Sequence, residues 1–329
     1  METSVAVLGC GYWGSNHIKT LKALGRLAAV SDIDMDKARA VGIANDAPAL
    51  SPAELFADTA ITALILALPP QFHAKNAIEA IKHGKDVLIE KPIALDVENA
   101  GKILEVAKTK KRIVMVGHVL RFHSAFEHIM QLVADGELGE LRYIKTSRLG
   151  FGKFHSTSDA LWDLAPHDLS MIMALTRGLA PINLQFGQQN ILGEGTDFAN
   201  LLMEFPGNIK ANLSVSRLTP YCERRLTVIG NKAMAVFDDL EPWDKKLAIY
   251  EYNVEKQGLV WAGAHSQPHY AALNDTLPLT KELLHFMNCV ETRETPRTDG
   301  NEAIRTLRIL EQATAQQTHY RSYNAVYRS

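Results

Sequence analysis

Between residue 4 and about residue 117, short apolar runs alternate with amphipathic stretches. The runs at 5–8, 28–31, 63–68, 87–89 and 113–116 are almost wholly apolar, as strands buried on both faces of a parallel sheet must be. Between them, apolar residues recur at helical spacing over 13–24, 35–45, 72–83 and 97–110. Strand and helix in strict alternation predict an α/β domain with helices on each side of a parallel sheet.

After Arg121 the period changes. A helix near 124–135 leads through Gly136-Glu137-Leu138-Gly139 to a strand at 141–148, and a second helix is predicted at 162–175. From 182 to 252 the chain alternates apolar and polar residues, for example at 200–205, 211–216 and 225–229. Pro206-Gly207-Asn208 and Gly230-Asn231 interrupt it, as hairpin turns would. Two closing helices, 279–292 and 301–317, complete an α+β domain built on a sheet of hairpins. The expected division is 1–120 and 121–329. Two C-terminal helices are few for both faces of such a sheet, so an apolar face is expected to need a partner, which predicts a homo-oligomer.

Composition narrows the classes. The 329 residues suffice for two modest cores, and with 47% hydrophobic residues, 22% charged residues and a net charge of −2 the chain lacks the basic excess of a nucleic-acid binder. The apolar tract at 60–68 is about half of the roughly 18 residues a membrane span needs. The N-terminus shows no basic segment or cleavage site of a secretory signal, so a cytoplasmic location is expected. Cys10, Cys222 and Cys289 are far apart and lack C-x-x-C spacing, and they are read as reduced packing residues with no zinc site.

Candidate chemistry begins directly after the first strand. Gly9-Cys10-Gly11-Tyr12-Trp13-Gly14 is a G-x-G-x-x-G between a predicted strand and a predicted helix, whose glycines allow a tight turn and close approach of backbone to a pyrophosphate. The helix N-terminus then offers free N–H groups to the anion. Eighteen residues beyond Gly14, Asp32 ends the second strand, where a carboxylate can accept from the adenosine ribose hydroxyls. A 2′-phosphate about 4 Å away would meet a repulsion of order 4 kcal/mol per charge pair at an effective dielectric of 20. No arginine immediately follows Asp32, so NAD is expected over NADP.

Glu90-Lys91-Pro92 ends the fourth strand, at the sheet edge where ligands collect. Lys91 there reads either as a solvated strand end or as a group that bonds a substrate hydroxyl and moves its proton. Asp163 and His167 are spaced i, i+4, so a helix presents both on one face, and Pro166 places them near that helix's amino end. They read as a capping pair, a metal pair or substrate groups. No third ligand of suitable spacing accompanies them.

In order and over essentially the whole chain, the glycine motif, Asp32, Glu90-Lys91-Pro92 and Asp163-x-x-x-His167 resemble the Gfo/Idh/MocA oxidoreductases. The resemblance implies an α/β Rossmann domain followed by an α+β domain with a large, mostly antiparallel sheet, whose open face commonly makes oligomers. It implies that Lys91 and His167 flank the reacting carbinol, with Asp163 contacting or orienting substrate or His167. The cofactor contacts expected are Gly9, Gly11, Tyr12, Trp13, Gly14, Asp32, Ile33, Leu68, Pro69, His73, Glu90 and Lys91.

Within the family, the segments 9–16, 117–122 and 161–168 are similar to nucleotide-sugar 3-dehydrogenases, which oxidise the C3 hydroxyl of UDP-N-acetylglucosamine or its glucuronate form. That likeness implies a UDP-sugar substrate, a tetramer, and an aminotransferase that uses the ketone in lipid A or O-antigen synthesis. Lys91, Arg121, Arg148, Lys153, Asp163 and His167 are the expected substrate contacts, with Arg121, Arg148 and Lys153 as candidates for the diphosphate. Two other readings stay open: a free-sugar or inositol dehydrogenase, and a non-enzymatic NAD-sensing regulator, against which Lys91 and His167 argue.

Overall fold

The computed structural model describes residues 3–152, 159–192 and 195–326. It divides into two compact units. The first contains the chain through Phe122 and again Leu277–Leu307; the second contains His123–Thr276 and the chain from Arg308 onward.

In the first unit, β1 (Val5–Leu8), α1 (Tyr12–Ala23), β2 (Leu27–Ser31), α2 (Met35–Asn45), α3 (Pro52–Ala57), β3 (Ala63–Leu66), α4 (His73–Lys82), β4 (Asp86–Glu90), α5 (Val97–Lys110) and β5 (Val114–Gly117) follow the predicted alternation. The strands form one parallel sheet in the order β2-β1-β3-β4-β5. β1 and β3 are buried along their whole length, which is why their sequences carry no polar face. α3 was not expected. At six residues it is too short to show a period, and its signal is local: Ser51 and Glu54 form a capping box, with Pro52 at the first helical position.

The second unit begins with α6 (Ser124–Ala134), β6 (Leu141–Phe151) and α7 (Ala160–Leu175). β7 (Asn183–Gln189), β8 (Phe198–Phe205), β9 (Ile209–Ser216), β10 (Leu218–Gly230), β11 (Ala233–Asp238), β12 (Leu247–Gln257), β13 (Val260–His265) and β14 (His269–Tyr270) follow. These strands make one sheet in the order β13-β12-β11-β10-β6-β9-β8-β7, with β14 on β12. Among the described strands of this sheet only β6 and β9 pair in parallel. Gly207 and Asn208 both have positive φ, as the tight turn between β8 and β9 demands.

α7 packs on β6, β8 and β9. The sheet buries Leu201, Met203, Leu213, Val215, Leu226 and Val228. Residues of the opposite register along β8 and β9 are Asn200, Leu202, Asn212 and Ser214, with Ser214 Oγ donating to Asn200 Oδ1 at 2.6 Å. Along these two strands the open face is mixed, with a half-exposed Leu202 among polar neighbours.

α8 (Pro278–Thr292) and α9 (Gly300–Val326) close the chain. The expectation that both complete the second domain is corrected for α8. Its Leu283, Phe286, Met287 and Val290 share a core with Val5, Val7, Ile18, Leu21, Leu88 and Met115 of the first unit. Beyond α8, Arg293 clamps the buried Asp86 of β4 with two hydrogen bonds of 2.7 and 2.8 Å. Thr298 then exchanges two hydrogen bonds with Val116 and covers the β5 edge.

Candidate active site

Three features of the first unit fit a dinucleotide. A Cβ on Gly9 would collide with the Ala67 carbonyl, and one on Gly14 with the Gly9 carbonyl, so both glycines are required by close packing. Gly11 is different: the space above it is open. α1 starts behind Gly11 with no side-chain cap and no acid in its first turn, which leaves its N–H groups for a pyrophosphate. Tyr12 and Trp13 stand exposed at that helix start.

Asp32 leaves β2 beside this loop. Its Oδ2 accepts from Cys10 N at 2.8 Å and its Oδ1 from Asp34 N at 3.1 Å. Asp34 in turn caps α2 by accepting from Asp36 and Lys37. That cap directs the first turn of α2 so that Lys37 Nζ comes within 3.4 Å of Asp32 Oδ2. Burial alone would raise the Asp32 carboxyl, but the two N–H donors and Lys37 outweigh it and hold it below the usual carboxylate range. No arginine immediately follows Asp32, but a lysine five residues on is brought back to it by the helix. Ile33 is 95% exposed at the same edge. The Cys10 thiol is pushed up to about 11 by burial and then by Asp32, so it stays protonated.

Leu68, partly exposed, and Pro69, exposed, follow β3, and Lys91 is half-buried after β4, joined to Pro92 by a cis peptide. His73 is fully buried; its Nδ1 lies 2.7 Å from the Pro92 carbonyl and its Nε2 2.8 Å from the Leu68 carbonyl. It struts two loops together, which corrects its assignment as a cofactor contact. Glu90 is corrected likewise. Its buried carboxylate turns inward, Oε1 accepting from His17 Nε2 at 2.7 Å and Oε2 from Lys91 N at 3.3 Å. Gly117, opposite Glu90 in the sheet, leaves the room: a Cβ there would lie 3.3 Å from the carboxyl. Arg121 is buried and pairs with Glu302 inside the same unit, so it is removed from the diphosphate contacts.

In the second unit, Asp159 caps α7 by accepting from Trp162 N at 2.9 Å. The helix starts at Ala160 and runs through Pro166, so this proline lies in the second turn and not at the amino end expected. Its ring removes the N–H that would have bonded to Trp162. Asp163 and His167, both partly exposed, share one face of that helix. Arg148, expected on a diphosphate, instead binds the buried Asp168 through Nε at 2.7 Å and Nη2 at 3.2 Å. Lys153 lies outside the described residues. Cys222 is exposed, contrary to a packing role. Among the described residues no group of three His, Cys, Asp or Glu could hold a metal, and no helix is long and apolar enough to cross a membrane.

The family model described as "Oxidoreductase family, NAD-binding Rossmann fold" matches residues 3–118, and the GFO/IDH/MocA C-terminal domain matches 126–236. The chain belongs to the Gfo/Idh/MocA oxidoreductases. The first unit is thus the NAD-binding domain of this family, in agreement with the open glycine loop and Asp32. This Gfo/Idh/MocA chain is 26% identical to the UDP-N-acetylglucosamine 3-dehydrogenase of Acidithiobacillus ferrooxidans over 92% of its own length and 93% of that protein's. The solved structure of that enzyme superposes with a TM-score of 0.83, covering 95% of this chain and 97% of the other. An inositol 2-dehydrogenase of Corynebacterium glutamicum is 31% identical over 51% of this chain and 52% of its own.

Lys37, His17 and Asp168 escaped the sequence reading. His17 had a usable signal, standing three residues after Gly14 on the glycine-loop helix. Lys37 had a weaker one in its place on the first turn after an Asp cap.

Proposed function

We propose that this protein is a cytoplasmic, homotetrameric, NAD-dependent dehydrogenase that oxidises the C3 hydroxyl of UDP-N-acetylglucosamine to the 3-keto sugar. The reading is carried by likeness to the A. ferrooxidans 3-dehydrogenase over 92% of the chain, together with Asp163 and His167 on one helical face and Lys91 at the ligand edge of the sheet. Bound NAD would supply the acceptor for the hydride leaving C3. Lys91 and His167 flank the carbinol, one of them taking the hydroxyl proton, and Asp163 orients His167 or the sugar. Gly9, Gly11 and Gly14 admit the pyrophosphate, Asp32 takes the adenosine ribose, and Tyr12, Trp13, Ile33, Leu68 and Pro69 border the cofactor. With Arg121 and Arg148 engaged internally, Lys153 is the remaining diphosphate candidate from the sequence. A 3-keto product calls for an aminotransferase downstream.

The test is NADH formation from NAD with UDP-N-acetylglucosamine, its glucuronate form, free N-acetylglucosamine and myo-inositol in parallel. Turnover of the first supports the reading. Turnover confined to myo-inositol or free sugar would replace it with the second reading, which the 31% identical inositol 2-dehydrogenase favours over half the chain.

A further inference from the structure

Behind the Lys91 turn lies a group of buried ionisable side chains that the reaction as drawn does not use. His17 comes from α1, the pyrophosphate helix; Glu90 from the end of β4; His118 from the residue after β5; and Glu282 from α8, more than 160 residues away in the chain. All four are buried, and Glu282 is 1% exposed. His17 Nε2 and Lys91 N both hydrogen-bond the Glu90 carboxylate. His17 Nδ1, both ring nitrogens of His118 and Glu282 Oε1 are buried without a hydrogen-bond partner among the described residues. Such groups are rare because each costs desolvation free energy, so several of them in one unit, with His17 bonded to Glu90, call for a role.

The charges of the group are ordered. His17 and then Lys91 hold the Glu90 carboxylate below its ordinary range in spite of burial, so it is an anion. Burial, and then the charge of Glu90, push Glu282 well above its ordinary range, so it keeps its proton where an exposed glutamate has lost it. His118 is lowered to about 3 by burial and then by Arg121, and is neutral. The Glu90 anion is therefore bonded at one oxygen to His17 of the pyrophosphate helix and at the other to the Lys91 backbone, with the neutral His118 and Glu282 buried in the same unit. Arg121, from the turn after β5, is neutralised by Glu302, and His73 stands on the far side against the Pro92 and Leu68 carbonyls.

We propose that His17 and Glu282 are positioning residues that act on Lys91 through the Glu90 carboxylate, fixing the Lys91 turn against the pyrophosphate helix. The hydrogen bond from α1 to β4 ties together the two places where opposite ends of a dinucleotide are held. Glu282 completes the arrangement as a neutral acid; a second anion at that place would repel Glu90 and loosen the turn. The inference rests on the reading of Lys91 as the lysine at the reacting carbon.

Four variants test it: His17→Phe, His17→Asn, Glu282→Ala and Glu282→Gln. His17→Phe and Glu282→Ala are expected to weaken NADH binding and lower kcat by about 10-fold or more, the scale on which misplacement of a catalytic group is felt. Glu282→Gln, which is neutral and of equal size, restores both, and His17→Asn replaces the Phe variant should that one fail to fold. The melting temperature supplies a readout that simple packing would not move. The unfolded chain releases the Glu282 proton near pH 4.3, while the folded chain retains it. Wild-type stability from this group is therefore lost as pH rises from that value through the raised folded value, and Glu282→Gln escapes the loss. The expected result is a Tm advantage of Glu282→Gln over wild type that grows from pH 5 to pH 9. A difference flat with pH, a Gln variant as impaired as the Ala variant, or His17 variants with wild-type kcat would each overturn the proposal. If wild type leaves UDP-N-acetylglucosamine unchanged, the substrate reading falls by itself, while NADH affinity and the Tm profile still decide this one.

Discussion

Lys37 Nζ lies 3.4 Å from Asp32 Oδ2, placing a cation beside the acid proposed for the adenosine ribose. A 2′-phosphate at this edge would meet repulsion from Asp32 and attraction from Lys37 at once. NAD(H) is still expected to bind better than NADP(H), because Asp32 is held by backbone donors and Lys37 is a flexible, exposed side chain. Changing Asp32 to Ser should narrow the gap. Lys37→Ala should widen it about 2- to 5-fold, the scale of an exposed charge pair, and less so at high salt. Dissociation constants from nicotinamide fluorescence decide the matter, and equal affinities for the two cofactors in wild type would remove Asp32 from the selection.

Lys91→Ala and His167→Asn should each lower turnover of UDP-N-acetylglucosamine by about 10² to 10⁴, as loss of a general acid or base does. Their melting temperatures should stay close to wild type, because both side chains are partly exposed and neither belongs to a core cluster. A fall in stability with full activity of the remaining folded protein would assign the residues to the fold.

Arg148 and Asp168 form a buried pair between β6 and α7. Arg148→Ala leaves the Asp168 carboxylate buried without its cation and should cost about 3–5 kcal/mol. The double change Arg148→Met with Asp168→Leu should cost less than the single one. Denaturant titration of the three variants checks this. If Arg148→Ala instead kept full stability and lost only UDP affinity, the diphosphate role expected from the sequence would return.

Arg293 bridges Asp86 across the first unit, with Asp86 also accepting from Ile113 N at 2.7 Å. Because Arg293 is about half exposed, solvent discounts the pair. Arg293→Ala is expected to cost about 1–3 kcal/mol, mostly through the underserved Asp86 acceptors. Proteolysis between α8 and α9 should accelerate in step, and an unchanged susceptibility would mean that the hydrophobic face of α8 suffices to hold it.

A homotetramer is expected in light scattering at micromolar concentration. The mixed polar and apolar character of the open sheet register around Asn200, Leu202, Asn212 and Ser214 favours an association that weakens on Leu202→Asp. A monomer across that concentration range would contradict it.

Local order along the chain determined the architecture of both units, because a parallel sheet writes its burial into continuous apolar strands and a half-covered sheet writes its faces into alternation. It also marked the glycine loop, Asp32, Lys91 and the Asp163–His167 face as candidates, since each depends on neighbours within one or two turns. Partners distant in sequence were settled only by the fold. No local pattern says that the glutamate inside the apolar stripe of α8 sits near Glu90, that Glu302 engages Arg121, or that Asp168 takes Arg148 out of reach of a diphosphate. A charged side chain carries the same letter whether it faces solvent, a ligand or a buried counter-charge. Only packing decides which of these stabilises it, because desolvation and pairing are properties of the assembled neighbourhood and not of the residue.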